Sequence, residues 1–303
     1  MLMSANIYGQ VKIVDIKAFK KIKNGHTHVI EFKWDFKGSE KFFGVIKKYW
    51  KATKSVDFIK AGELKKNLKR GDSYFSLEHY IEVNEKGDSS VYFYLNYWVL
   101  TDNFYTRHVD VSLIDEKPIA QIPLSVDTMV LKNVGKIQNG VYPRFDFDGN
   151  GYFTNWYSGI LKNNLLELQR RLKAGKEIDL SDDFANIEEL KKVKKGVLLC
   201  PEENLWAKNY WKDKNEYENL IFGNYKFRYK VISNVLLEEK IKAGYDNTYY
   251  LLFYHNTTAG KVIVIVNALT GETIYSSHKL VNSFYLQPYE INALSDKLDS
   301  IAD

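Results

Sequence analysis

The sequence predicts an α+β protein in which antiparallel sheets carry helices packed on them, divided into two domains at residues 1–120 and 121–303. Three observations lead there. Strand and helix signals come in blocks instead of strict alternation, which favours α+β over a doubly wound sheet. The stretch 89–101 is apolar or aromatic on both faces, as expected of a central strand covered on both sides. The chain has 303 residues, 45% of them apolar, enough for a sizeable core and more than one domain usually holds.

The N-terminal elements follow from periodicity. His28, Ile30, Phe32, Trp34 and Phe36 alternate with Val29, Glu31, Lys33 and Asp35, a period of two that predicts a strand. Residues 10–19 read as its partner, joined through a hairpin turn at Asn24-Gly25. Two helices are expected next. The first runs from Ser39, as N-cap, to Thr53, with Phe42, Phe43, Ile46, Tyr49 and Trp50 on one side. The second runs from Ser55 to Arg70 and stops at Gly71. Residues 73–84, 89–101 and 104–114 then read as an antiparallel meander with turns at 85–88 and 101–103. On its middle strand Tyr92, Tyr94 and Trp98 share one face; Val91, Phe93, Leu95, Tyr97 and Val99 share the other.

Residues 115–127 carry two of the five prolines and little periodicity, which places the domain boundary there. Beyond it, Leu161, Leu165, Leu168 and Leu172 mark a helix ending at Gly175. Ser181 is expected to cap a charged helix reaching Lys194, and Pro201 to open another reaching Ile221. Strands are expected at 225–237, 248–255, 261–268 and 272–278, with a tight hairpin at 268–272. Pro288 opens a terminal helix with Ile291, Leu294, Leu298 and Ile301 on one stripe. No repeat with a period of 20–50 residues is visible.

Composition excludes several classes. The single cysteine, Cys200, forms no internal disulfide, and five prolines rule out collagen-like or linker-like chains. No apolar run is long enough for a transmembrane helix, and the N-terminus lacks a basic start followed by an apolar stretch. The expectation is a cytoplasmic protein without a membrane partner. Charge is unevenly spread. Residues 1–70 hold 17 Lys+Arg against 6 Asp+Glu, while the remainder is acidic. Lys65, Lys66, Lys69 and Arg70 crowd the end of the second expected helix and are the candidate contacts to an anionic partner, nucleic acid or an acidic protein.

Candidate chemistry is sparse. Asp146, Asp148 and Asn150 stand at positions one, three and five of a loop with glycine at six, the front half of a calcium loop. Position twelve, a bidentate glutamate in such loops, is Tyr157; the competing account is an Asp/Asn/Gly turn. Asp15 with Glu31 and Lys33 has the residue types of a magnesium-dependent nuclease core, two carboxylates for the metal and a lysine for the water. The six histidines and the lone cysteine show no zinc spacing, and phosphate-loop, dinucleotide and serine-hydrolase motifs are absent. No cofactor is expected beyond that calcium candidate. Aromatics make up 15% of the chain. Trp206 and Tyr210, one helical turn apart beside Lys212 and Lys214, are candidate partner-binding residues. The leading expectation is a non-enzymatic interaction protein with a protein partner, in the manner of an inhibitor, immunity, phage accessory or assembly factor. Nucleic-acid binding through the basic N-terminal region and a metal-dependent hydrolase are the alternatives.

Overall fold

The computed structural model describes residues 10–22, 25–31, 36–60, 63, 69–83, 87, 89–100, 118–126, 136, 145–148, 153–175, 183–205, 214–255, 260–280 and 286–302. The first half runs β1 (Lys12–Ile13), α1 (Ile16–Phe19), β2 (His26–Ile30), β3 (Phe36–Lys37), α2 (Ser39–Tyr49), β4 (Ser55–Ile59), β5 (Ser73–Val83), β6 (Ser89–Val99), β7 (Ala120–Leu124), β8 (Phe145–Asp146) and α3 (Ser158–Ala174). The second runs β9 (Phe184–Ala185), α4 (Ile187–Lys195), β10 (Val197–Pro201), α5 (Lys214–Phe222), β11 (Tyr229–Ile232), α6 (Asn234–Ala243), β12 (Thr248–His255), β13 (Gly260–Asn267), β14 (Thr273–Leu280) and α7 (Pro288–Asp299). Among the described residues no helix is long and apolar enough to cross a membrane.

The chain is α+β, with two six-stranded sheets of orders β4-β2-β5-β6-β7-β1 and β11-β10-β12-β13-β14-β9. Each is mixed. In both, the first three strands in that order are parallel and the remaining pairings are antiparallel. Parallel neighbours need crossover connections, and α2, α5 and α6 lie within them. The two sheets are thus two copies of one topology, and their ladders can be laid in register. Thr27↔Ser73↔Val99 in the first corresponds to Leu198↔Tyr249↔Asn267 in the second. Ile13↔Ala120 corresponds to Ala185↔Tyr275. Facing sides correspond too. Val29, Phe75, Leu95 and Tyr97 meet α2 and α3; Leu198, Leu251, Ile263 and Ile265 meet α4, α5 and α7.

α3 joins the copies. Leu161, Leu165, Leu168 and Leu172 enter the first core, whereas Tyr157 and Ile160 enter a cluster on the second sheet. Asn163 Nδ2 donates to Tyr250 Oη (3.0 Å) and Ala268 O (3.2 Å). No side chain of the cap residue Tyr157 closes the N-terminus of α3. Glu238 of α6 does so instead, both carboxylate oxygens accepting from Gly159 N (2.8 and 2.7 Å). Further bonds between the halves run from Gln10 Nε2 to Gly271 O (2.6 Å) and from Ser125 Oγ to Phe253 O (2.6 Å).

Several expectations need correction. β2 pairs with β4 and β5, not with residues 10–19, so the Asn24-Gly25 hairpin does not form. The Gly25 carbonyl instead accepts from Lys54 N, tying it to the entry of β4. Residues 10–19 hold short β1 and α1, the latter capped by the Asp15 side chain. Ser55–Ile59 is a strand, because the open edge of β2 satisfies its backbone; propensity alone does not decide a five-residue segment. α2 stops at Tyr49, since Trp50 is extended and its indole donates to Thr27 Oγ1 (3.0 Å). Ser39 is the first helical residue, and the cap is Gly38 at φ 87°, against Phe147. Pro201 ends β10, and the helix forms later as α5. Residues 225–237 split into β11 and α6, where Ser233 accepts from Leu236 N as N-cap. Asn186 caps α4; Ser181, residues 32–35 and 104–114 lie outside the described residues. Residues 120–124, in the segment of the expected boundary, form a strand of the first sheet. The terminal helix opens at Pro288 with a capping box between Gln287 and Glu290.

Candidate functional site

Each sheet has one face on its helices and a second face behind it. On the second sheet that second face is apolar, with Leu199, Leu252, Val262, Val264 and Val266 packed with Leu237 and Ile241 of α6 and Ile160 of α3. The register places His28, Ser76, Tyr94, Asn96 and Trp98 at the corresponding positions of the first sheet, with Glu78 at the position that Tyr254 holds in the second. One fold therefore carries an oily face in one copy and a polar, aromatic face in the other.

Strand alternation builds the polar face. Ser76, Glu78 and Tyr80 project from β5, Tyr94, Asn96 and Trp98 from β6, and Gln121 from β7. Glu78 Oε1 accepts from Ser76 Oγ and from Trp98 Nε1 (3.1 Å). Its Oε2 accepts from Asn96 Nδ2 (2.8 Å) and Tyr80 Oη (3.1 Å). Asn96 Nδ2 also donates to Tyr80 Oη (2.7 Å), and Asn96 Oδ1 accepts from Gln121 Nε2 (3.0 Å). Asn96 is fully buried, Glu78 is partly buried, and Tyr80 is 39% exposed, its ring edge-on to Tyr94 at 5.6 Å. Burial pushes the Glu78 carboxyl above the usual range, although bonds from Ser76, Asn96, Tyr80 and Trp98 pull the other way.

At the other end of β5, His28 Nε2 meets Asp72 Oδ2 at 3.0 Å, both side chains buried. Asp72 Oδ2 also accepts from Lys69 N (3.1 Å), and His28 Nδ1 has no hydrogen-bond partner. A second buried pair lies in the other copy. Lys261 Nζ and the Glu290 carboxylate meet at 2.7 Å with neither side chain exposed. Burial lowers the lysine and raises the glutamate, each partly offset by the other.

The residues singled out from the sequence are dispersed. Asp15 Oδ1 accepts from Ala18 N (2.9 Å) at the start of α1. It follows β1, whereas Glu31 follows β2, four strands away in the sheet. At ~4.8 Å per strand that is about 19 Å, too far to share a metal. Asp148 caps α3, accepting from Ser158 N and Oγ at 2.5 Å each, and pairs with Lys41. Burial raises its carboxyl, but the bonds from Lys41 and Ser158 outweigh that and hold it below the usual range. Asp146 ends the two-residue strand β8. Among the described residues no three His, Cys, Asp or Glu side chains form a metal-ligand group. Lys69 and Arg70 lie in the turn before β5, not in a helix. Lys33, Lys65, Lys66, Asn150, Trp206 and Tyr210 lie outside the described residues. Cys200 is buried, and burial pushes its thiol far up.

The polar face went unread in the sequence, although its trace is there. Ser76, Glu78 and Tyr80 recur at every second residue of β5, and Ser76 pairs with the Asn96 that interrupts the aromatic face of β6. Scans against protein-family models, curated proteins and solved structures find no match to this chain, so the site rests on its own geometry.

Proposed function

We propose that this chain is a non-enzymatic interaction protein that binds a partner protein at the Glu78–Tyr80 corner of its first sheet. The observation that carries the reading is the divergence of one face between two copies of the same fold. On the second sheet this face packs α3 and α6 and is apolar; on the first it keeps a carboxylate, amides and aromatics. Burying such groups costs stability unless each is bonded, and two of the bonds here fix the Tyr80 hydroxyl. A half-exposed tyrosine locked by two hydrogen bonds suits a binding anchor, since little side-chain entropy is left to lose. Binding fits better than catalysis. Glu78 is held by four neutral donors and has no second carboxylate or histidine as partner. A nucleic acid fits this corner poorly, because its phosphates would stand beside that carboxylate.

The test is a photo-crosslinking residue on a long flexible linker at Val83, the 61% exposed end of β5, from which it reaches round the strand end to Tyr80 three residues away, with the full chain in extracts of its own source. The expected result is one protein adduct, displaced by excess unmodified chain and weakened about tenfold or more by Tyr80→Ala. Nucleic acid in the adduct, insensitive to Tyr80→Ala, would overturn this reading in favour of the basic region around Lys69 and Arg70.

A further inference from the structure

Four glutamates among the described residues are buried enough to raise their carboxyls: Glu78, Glu167, Glu238 and Glu290. Three of them face a cation. Glu167 meets Arg171 at 2.6 Å, Glu238 meets Lys242 at 3.6 Å, and Glu290 meets Lys261 at 2.7 Å. Glu78 faces none; two hydroxyls, an amide and an indole are its partners. Neutral donors return part of the hydration lost by a carboxylate, but they do not balance its charge.

The way in is marked by Tyr80. Its hydroxyl donates to Glu78 Oε2, so a cation arriving there displaces that one bond. Tyr80 stays anchored when its O–H turns away, because Asn96 Nδ2 still donates to the same oxygen at 2.7 Å. The exposed Tyr80 ring lies alongside, offering a π surface to a cation or to its alkyl stem. Resting on the binding reading above, we infer that this corner seats a lysine or arginine side chain of the partner protein, its charge beside Glu78 Oε2 and its stem along Tyr80. A charge-assisted bond to a partly desolvated carboxylate is the strong kind, and it defines what the partner must present.

Trp98 Nε1 donates to Glu78 Oε1 (3.1 Å) and Ser76 Oγ (3.0 Å), so its indole proton resonance reports on the carboxylate. The probes are the N-acetyl amides of arginine, lysine and citrulline, and spermidine, titrated into the full chain, with Trp98→Phe identifying the signal. Arginine and lysine amides should shift it saturably and citrulline amide should not. Glu78→Gln should weaken the response about tenfold or more. Because Glu78→Gln perturbs four bonds, a second variant is needed: Tyr80→Lys offers a cation within the chain and should abolish the response without loss of fold. An equal response to citrulline, or one unchanged in both variants, overturns the inference. Spermidine binding more than tenfold tighter than arginine amide overturns a protein side chain as the source. If Val83 adducts still depend on Tyr80 while arginine amide leaves Trp98 unmoved, the cation seat falls and the binding reading stands. If the seat fills but no Tyr80-dependent adduct forms, the protein partner falls.

Discussion

Gly159→Ala should destabilise the protein, against the usual helix rule. In an unhindered helix interior that change stabilises by about 1 kcal/mol. Here the added Cβ would stand 2.8 Å from Glu238 Oε1 and 2.9 Å from Ile241 Cγ2. Relief requires moving α6 or the carboxylate. Overpacking of this kind costs about 1–3 kcal/mol. A displaced carboxylate also gives up its bonds to Gly159 N and the longer one to Ile160 N (3.3 Å), and a charged hydrogen bond contributes about 1.5–3 kcal/mol. After the helix-propensity gain, the net loss should be about 2–4 kcal/mol. Glu238→Ala should cost about 3–5 kcal/mol, because it strands buried N–H groups at a helix N-terminus. The double variant should fall short of the sum by about 1–3 kcal/mol, since removing the carboxylate makes room for the methyl. Urea unfolding of the four proteins, followed by far-ultraviolet circular dichroism, measures this cycle. Gly159→Ala as stable as wild type, or an additive double variant, would refute the account of how α3 is held.

Three further outcomes are expected. Lys261→Ala should lose about 3–5 kcal/mol by leaving the buried Glu290 carboxylate without its cation, with the Gln287 N–H still donating to it, and Lys261→Met combined with Glu290→Gln should recover most of it; equal melting temperatures for the single and paired variants would contradict this. Asp148→Ala should lose about 1–2 kcal/mol as a helix cap, equally in millimolar calcium and in EDTA; a calcium-dependent difference in the melting scan would restore a cation to Asp146, Asp148 and Asn150. Stability should rise on mild acidification, four buried glutamates outweighing His79, whose imidazole is held below its ordinary value by burial and which gives up stability as pH falls below about 6.5. A carboxyl whose folded pKa exceeds its unfolded value binds its proton more tightly in the native state, so Glu78, Glu167, Glu238 and Glu290 contribute more as pH falls from above their folded values toward the unfolded one near ~4.3. Asp148, Glu189 and Asp299, held low, give up stability only as pH drops through their folded values below that range. Calorimetry between pH 8 and pH 3 checks this, and a melting temperature that declines steadily from pH 8 would count against it.

Much of the secondary structure was legible where a signal is local. The leucine spacing before Gly175, the Pro288 start and the 268–272 turn all depend on neighbours within a few residues. What failed depends on distant partners. Ser55–Ile59 becomes a strand because β2 lies beside it, and Gly25 turns toward Lys54 instead of closing a hairpin. The duplicated topology was hidden for a related reason. A strand fixes the pairing of its backbone but leaves each side chain free to suit its own surroundings. Corresponding positions hold Ser76 and Leu252, Asn96 and Val264, Trp98 and Val266, and no pattern of polarity survives such exchanges. The candidate site shared that fate. Its carboxylate and amide come from strands whose turn is distant in sequence from Gln121, so only the fold brings them together.

The position of α3 bears on the order in which the chain is made. By topology this helix closes the first copy, yet its other side is buried against residues that are synthesised much later, around Glu238, Tyr250 and Ala268. At 5–20 residues per second the ribosome needs roughly 5–20 s to supply about 100 more residues. During that interval Tyr157, Ile160 and Asn163 lack the partners that cover them in the complete fold. A chaperone that shields that side of α3 would meet it only before the second half is made, because in the complete fold α6 and β12 cover it.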